Sequence, residues 1–105
     1  MGELLSALAL AAILAGETPG CPFDAKVAGV QVMENREAAG IVGGWFGEGT
    51  PTADDWLAVR WASELPDLVD EALYFIGPGD AERMDWLEVR TGRWVCDGTW
   101  VEAWR

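Results

Sequence analysis

The stretch WLEVRTGRWVCDGTWVEAWR, residues 86–105, decides the fold class because turn signals separate its apolar, β-prone segments. Asp97-Gly98 is among the strongest short signals for a two-residue hairpin turn, and Thr91-Gly92 is a second turn signal. Two turns of this kind predict three antiparallel strands in succession. The sequence therefore predicts an antiparallel β-meander over residues 85–104.

Side chains alternate across a strand, so the predicted meander has two different faces. The apolar face is the predicted core face, and it carries Leu87, Val89, Trp94, Cys96, Thr99, Val101 and Ala103. The opposite face mixes aromatic and charged side chains, namely Trp86, Glu88, Arg90, Arg93, Val95, Trp100, Glu102 and Trp104.

The mixed face predicts a recognition surface made by Trp86, Trp100 and Trp104 with Arg90 and Arg93. Flat aromatic rings flanked by charged groups stack on sugar rings or anchor protein partners, and Trp and Arg are favoured at binding hot spots. The alternative is structural. In that case another segment covers the face, the arginine stems cover the indoles, and Glu102 pairs with Arg93.

The first half of the sequence suggests strands. Residues 25–34 alternate in the manner of a strand, residues 35–37 suit a turn, and residues 38–47 form a second, glycine-rich strand candidate. Residues 47–52 are expected to form a loop.

The middle of the chain predicts helices. Thr52 is a suitable N-cap for a helix over residues 53–65, because acidic residues follow in the first turn. A second amphipathic helix is predicted over residues 66–77, with a strand at residues 73–76 as the alternative. Together these elements predict a small single α+β domain whose C-terminal antiparallel β-meander packs against one or two helices.

The N-terminus is open to two interpretations. Residues 1–16 contain an apolar run of signal-peptide length, but no basic residue precedes it, and the same run has helical spacing. It is therefore either a signal peptide or an N-terminal apolar helix, with residues 17–105 forming the domain. The first interpretation predicts a secreted or periplasmic protein and the second a cytoplasmic one. The run is too short for a stable membrane span.

The two cysteines, Cys21 and Cys96, are expected to differ in state with the compartment. Export would favour a disulfide between them, and a reducing cytoplasm would favour two buried thiols.

The charge and the residue types exclude several functions. The formal net charge is −11, which opposes nucleic-acid binding. The absence of histidine removes the commonest general base and metal ligand, so no metal, cofactor or catalytic residue is expected. The acidic pairs are interpreted as helix caps or solvated groups rather than glycosidase carboxylates: Asp54 with Asp55, Asp67 with Asp70 and Glu71, and Asp80 with Glu82. The sequence thus predicts that the protein is not an enzyme.

The leading functional hypothesis is a small, acidic, non-catalytic, extracytoplasmic binding or accessory domain that uses the Trp/Arg face to bind a protein or a carbohydrate. One alternative is an acidic inhibitor or immunity-type protein that blocks a basic partner. Another is a structural subunit of a larger assembly such as a virion. The sequence indicates neither the partner nor the oligomeric state.

Overall fold

The computed structural model describes residues 6–41, 43 and 49–105, which form an α+β domain. Helices come first and strands follow in the C-terminal half, so the predicted fold class is confirmed. In chain order the elements are α1 (Ala7–Glu17), α2 (Phe23–Ala38), α3 (Ala53–Trp61), a short 3₁₀ helix (Ala62–Glu64), β1 (Tyr74–Ile76), β2 (Arg90–Cys96) and β3 (Thr99–Trp104).

Helix α2 is the centre of the domain. Every residue from Ala25 to Met33 is buried. One side of α2 packs against the sheet, where Val32 joins a cluster with Phe75, and another side packs against α1 and α3, where Val30 joins a cluster with Leu14. The predicted strand at residues 25–34 and turn at residues 35–37 are therefore wrong. Residues 25–33 are buried on every side, so no exposed polar face marks the helical period, and the valines favour a strand locally.

The sheet has three antiparallel strands in the order β1-β3-β2. The Asp97-Gly98 turn is confirmed: Gly98 adopts φ +73°, and Cys96 lies opposite Thr99 as predicted. The Thr91-Gly92 turn is wrong, because both residues lie inside β2 at a change of register. A β-bulge there, with Thr91 as the extra residue, replaces the expected turn.

The third strand comes from residues 74–76 and not from residues 86–90. Tyr74 pairs with Trp104, and Ile76 pairs with Glu102. The predicted core positions Leu87 and Val89 therefore lie outside the sheet, and Val89 is 42% exposed.

Helix α3 begins where the sequence predicts. Thr52 and Asp55 form a capping box, and the helix continues through the 3₁₀ turn to Glu64. The predicted helix over residues 66–77 is wrong, and the alternative strand is present as β1. Pro66 ends the helical run, and Asp67 Oδ1 then accepts hydrogen bonds from the backbone N–H groups of Val69 and Asp70. Of the second strand candidate, residues 38–47, the half comprising residue 42 and residues 44–47 lies outside the described residues. In the other half, residue 38 ends α2, and residues 39–41 and 43 are not in a strand.

The N-terminal helix packs on the rest of the domain. Leu14 and Ile13 of α1 are buried in the cluster that includes α2 and α3. Among the described residues, no helix has the length and apolar character needed to cross a membrane. Whether residues 1–16 are cleaved as a signal peptide stays a prediction.

A disulfide joins Cys21 to Cys96. It connects the entry to α2 with the end of β2, and the Asp97 N–H donates to the Gly20 carbonyl beside it at 2.9 Å. The bonded state is the one predicted for an exported protein, since disulfides persist in oxidising compartments.

Candidate functional site

The sheet has one face packed against α2 and one face turned away from it. Residues directly opposite each other in an antiparallel pair share a face. The register therefore defines an outer sheet face that consists of Tyr74, Ile76, Arg90, Arg93, Val95, Trp100, Glu102 and Trp104. Four of the five predicted recognition residues lie on it.

Glu102 is the centre of the outer sheet face. Its residue exposure is only 6%, although it lies on the side away from α2. One carboxylate oxygen, Oε2, accepts from Arg90 Nη1 at 2.9 Å and from Arg93 Nη1 at 3.5 Å. The other oxygen, Oε1, accepts from Trp104 Nε1 at 3.1 Å. A single buried carboxylate thus fixes two guanidinium groups and one indole.

The aromatic rings of this face are arranged around the same network. The Arg93 guanidinium lies 5.0 Å from the ring centroid of Trp100, within the range of a cation–π contact. Trp86, the fifth predicted residue, lies in the segment before β2. Its ring meets the Tyr74 ring edge-on with centroids 5.1 Å apart, and Trp86 is 55% exposed.

The structure therefore brings together four of the five predicted recognition residues, and Trp86 is linked to their face only through its contact with Tyr74. It also contains part of the structural alternative, because Arg93 pairs with Glu102 and covers part of Trp100. Trp86 and Val95 nonetheless remain open to solvent, with Val95 73% exposed. The use of this face for binding stays a prediction.

A second feature, which the sequence analysis missed, is a cleft of about 190 Å³ between the C-terminal half of α2 and the segment that follows α3. Its lining is mostly polar and consists of Gln31, Glu34, Asn35, Ala62, Ser63, Leu65 and Asp67. Gln31 supports the wall of this cleft. Its amide donates to the carbonyls of Ala62 and Pro66 and accepts from the Leu68 N–H.

Glu34 is the chemically distinctive group in the cleft. Partial burial, and to a smaller extent the negative charge of Glu37, raise the pKa of the Glu34 carboxyl above its usual value of 4.5. Both causes disfavour the charged form.

The sequence contains a signal for this cleft, but the signal is apparent only if residues 31–35 are assigned the 3.6-residue period of a helix. Gln31, Glu34 and Asn35 are spaced by three and four residues, so they share one face of a helix. A strand over residues 25–34 would place Gln31 and Glu34 on opposite faces and leave Asn35 in the following turn. The three side chains line one cleft because α2 is a helix.

The acidic pairs that the sequence analysis considered have structural roles. Asp55 is buried and caps α3, Asp67 holds the turn after Pro66, and Asp80 pairs with Arg83. Within the described part of the chain, no three His, Cys, Asp or Glu residues are grouped in a way that could hold a metal ion.

No protein-family model matches the chain, and no curated protein matches its sequence. A solved structure does match: the catalytic domain of the Bacillus cereus SleB protein. The TM-score is 0.65 at 20% sequence identity, over 94% of this chain and 88% of that one. This similarity shows a shared fold.

The comparison corrects one expectation. The sequence predicted that the protein is not an enzyme, because it has no histidine and no catalytic motif. A fold shared with a catalytic domain overturns that inference. The physical reason is that a carboxyl group can supply acid–base chemistry, so the absence of histidine does not exclude catalysis.

Proposed function

We propose that this protein is an extracytoplasmic glycan-binding domain that contacts its ligand through the outer sheet face and Trp86. The observation that carries the proposal is the aromatic and guanidinium cluster organised by the buried Glu102. A cluster already held by hydrogen bonds loses little side-chain freedom on binding, which favours affinity.

The chemistry of the face suits a sugar ring. Indole rings offer flat apolar surfaces for the C–H face of a sugar, and nearby charged groups bond its hydroxyls. Trp86 is the most exposed of the three predicted tryptophans, and Trp100 and Trp104 lie on the outer sheet face.

The proposed location follows from the disulfide. A bond between Cys21 and Cys96 is typical of proteins that mature outside the reducing cytoplasm. Intact-mass measurement of the protein purified from its native compartment would show both the bond and any loss of residues 1–16.

A direct test uses two tryptophan variants with similar exposure. Trp86→Ala removes a ring from the proposed surface, and Trp61→Ala removes a ring on α3 that is 42% exposed. Glycans selected on an array are titrated against both variants by calorimetry. We expect Trp86→Ala to weaken binding by about 2 kcal/mol, as for a hot-spot truncation, and Trp61→Ala to leave it unchanged.

The salt dependence of binding separates this proposal from an acidic-inhibitor function. Stacking on tryptophan should change little between low and moderate ionic strength. Binding of a basic protein through surface carboxylates is screened strongly, because the Debye length is about 10 Å at 0.1 M salt. A partner whose affinity ignores Trp86 and Trp100 but falls steeply with salt would contradict the glycan proposal.

The cleft supports a second candidate function, acid-catalysed cleavage of a glycan. The specific observation is the raised pKa of Glu34 at a cleft in a fold that is shared with a catalytic domain. In this function Glu34 would donate a proton to the leaving oxygen as the glycosidic C–O bond breaks. Solvent water would add to the anomeric carbon and return a proton to the carboxylate, which leaves a new reducing end. Release of new reducing ends from soluble polysaccharides is the assay. Glu34→Gln should abolish it without weakening binding at the outer sheet face, and Glu82→Gln is the control.

A further inference from the structure

The outer sheet face has a charge balance unlike that of the whole chain. The protein carries 18 acidic and 7 basic residues. On this face two arginines, Arg90 and Arg93, meet one carboxylate, that of Glu102. The three groups together carry one net positive charge, in a protein whose formal net charge is −11.

The two guanidinium groups keep donors that Glu102 does not use. In the described part of the chain, the bonds made by Arg90 and Arg93 side chains engage Nη1 of each residue. The side chains are 49% and 45% exposed, so about half of each remains accessible to solvent. A planar guanidinium with free N–H groups matches the geometry of a carboxylate and binds it through two parallel hydrogen bonds.

Glu102 engages one nitrogen of each guanidinium group and leaves the other donors unused. Both of its oxygens already accept hydrogen bonds, and its burial holds it in place. Because Glu102 holds one nitrogen of each guanidinium group, and Arg93 also lies against Trp100, an incoming anion meets guanidinium groups that are already oriented. Binding then causes little further loss of side-chain entropy, because the arginines are already ordered in the folded domain.

We infer that the outer sheet face binds glycans that carry carboxylate groups, with Arg90 and Arg93 contacting the carboxylate while the sugar ring lies against the half-buried indoles of Trp100 and Trp104. This inference rests on the proposed glycan-binding function and adds the chemical class of the ligand. The negative charge of the rest of the protein opposes the approach of such a ligand. That opposition acts at long range and is screened by salt, whereas the guanidinium contacts act at hydrogen-bond distance.

The test uses one sugar in two charge states. Trigalacturonic acid carries a carboxylate on each ring, and its methyl ester has the same ring shape without the charges. Binding of both is measured by calorimetry at pH 7 in 0.1 M salt. We expect the acid to bind about tenfold more tightly than the ester, as is typical of a charge-assisted bond.

Matched variants assign the effect to the arginines. Arg93→Gln and Arg90→Gln should each weaken binding of the acid about tenfold and leave the ester unchanged. Arg60→Gln is the control, because Arg60 also lies over a tryptophan, Trp61, at 4.4 Å, but on α3. Arg93→Lys keeps the charge and removes the fork geometry, so it should weaken acid binding less than Arg93→Gln. Thermal unfolding of each variant checks that the fold is retained.

The outcomes separate this inference from the function on which it rests. Equal binding of acid and ester, or equal loss of both in Arg93→Gln, would overturn the carboxylate assignment and leave glycan binding in place. Failure of the protein to bind either trimer or any glycan on the array would overturn both.

Discussion

Lys26 Nζ lies 2.6 Å from Asp55 Oδ1, and both side chains are almost completely buried. The ammonium group also donates to the carbonyl and hydroxyl oxygens of Thr18, and the second Asp55 oxygen accepts from Thr52. This network joins the end of α1, the first half of α2 and the start of α3. Each buried charge has a partner of opposite sign, which is the condition under which burial of charge is tolerated.

Removal of either partner should therefore destabilise the domain strongly. We expect Lys26→Met and Asp55→Asn each to lower the free energy of unfolding by about 3–5 kcal/mol, because each leaves a buried group without its counter-charge. Urea unfolding measures the change. In the double variant the loss should be clearly smaller than the sum of the two, and additive losses would show that the two groups are not coupled.

The disulfide should contribute a comparable amount by a different route. Cys21 and Cys96 are 75 positions apart, so the bond restricts a long loop in the unfolded chain. Replacing both with alanine should lower the free energy of unfolding by about 4 kcal/mol on the chain-entropy model. Reduction of the wild-type protein should reproduce most of the loss. An unchanged unfolding midpoint after reduction would contradict this expectation.

Gly92 should not tolerate a side chain. A Cβ atom added there would overlap the indole ring of Trp94, which lies across the bulge in β2. We expect Gly92→Ala to cost about 1–3 kcal/mol, in the range of overpacking substitutions. Gly79→Ala is the matched control, because a Cβ atom at that position meets nothing within 4 Å. Equal effects of the two substitutions on thermal unfolding would argue against the close packing of Trp94.

The protonation of Glu34 should affect stability with a definite sign. Its pKa is raised in the folded state, so loss of the proton destabilises the fold. The destabilisation is absent below the unfolded-state pKa, grows as pH rises above it and is complete above the raised pKa. Between the unfolded-state pKa and the raised folded-state pKa, the free energy of unfolding should therefore fall less with rising pH in Glu34→Gln than in the wild type. Urea unfolding at several pH values measures the slope.

Substitution of Glu37 tests whether burial or charge is the larger cause of the raised pKa of Glu34. Glu37→Gln should lower the pKa of Glu34 only part of the way, because burial is the larger cause. Carboxyl carbon chemical shifts followed through a pH titration would show it. The exposed Glu82→Gln should leave the pKa of Glu34 unchanged. A complete return to the usual value in Glu37→Gln would assign the shift to charge alone.

The sequence predicted the sheet better than the helices. The Asp97-Gly98 turn fixes its own register, since only a residue such as Gly98 adopts a positive φ easily. Arg90 and Arg93 share a face as predicted, although for a different reason. The sequence predicted a turn between these two arginines, whereas the structure has a β-bulge there. Either arrangement places both side chains on the same face of the sheet.

Helix α2 could not be predicted in the same way. Local sequence records which faces of a segment are apolar, but residues 25–33 are buried on every side, so no single apolar stripe marks the helical period. The local preference of Val27, Val30 and Val32 is for a strand. Packing between the sheet on one side and α1 with α3 on the other nevertheless makes this segment helical. The cleft that contains Glu34 depends on this segment being helical, so the sequence did not predict the cleft either.

The central position of α2 also determines how the domain comes apart. Val32 belongs to the cluster under the sheet and Val30 to the cluster under α1 and α3, so neither half of the core survives without this helix. The domain should therefore open as one cooperative unit, with the amide protons of α2 exchanging only when the whole chain unfolds. A ligand held on the outer sheet face would then slow hydrogen exchange in helices on the other side of the molecule, with no contact to them.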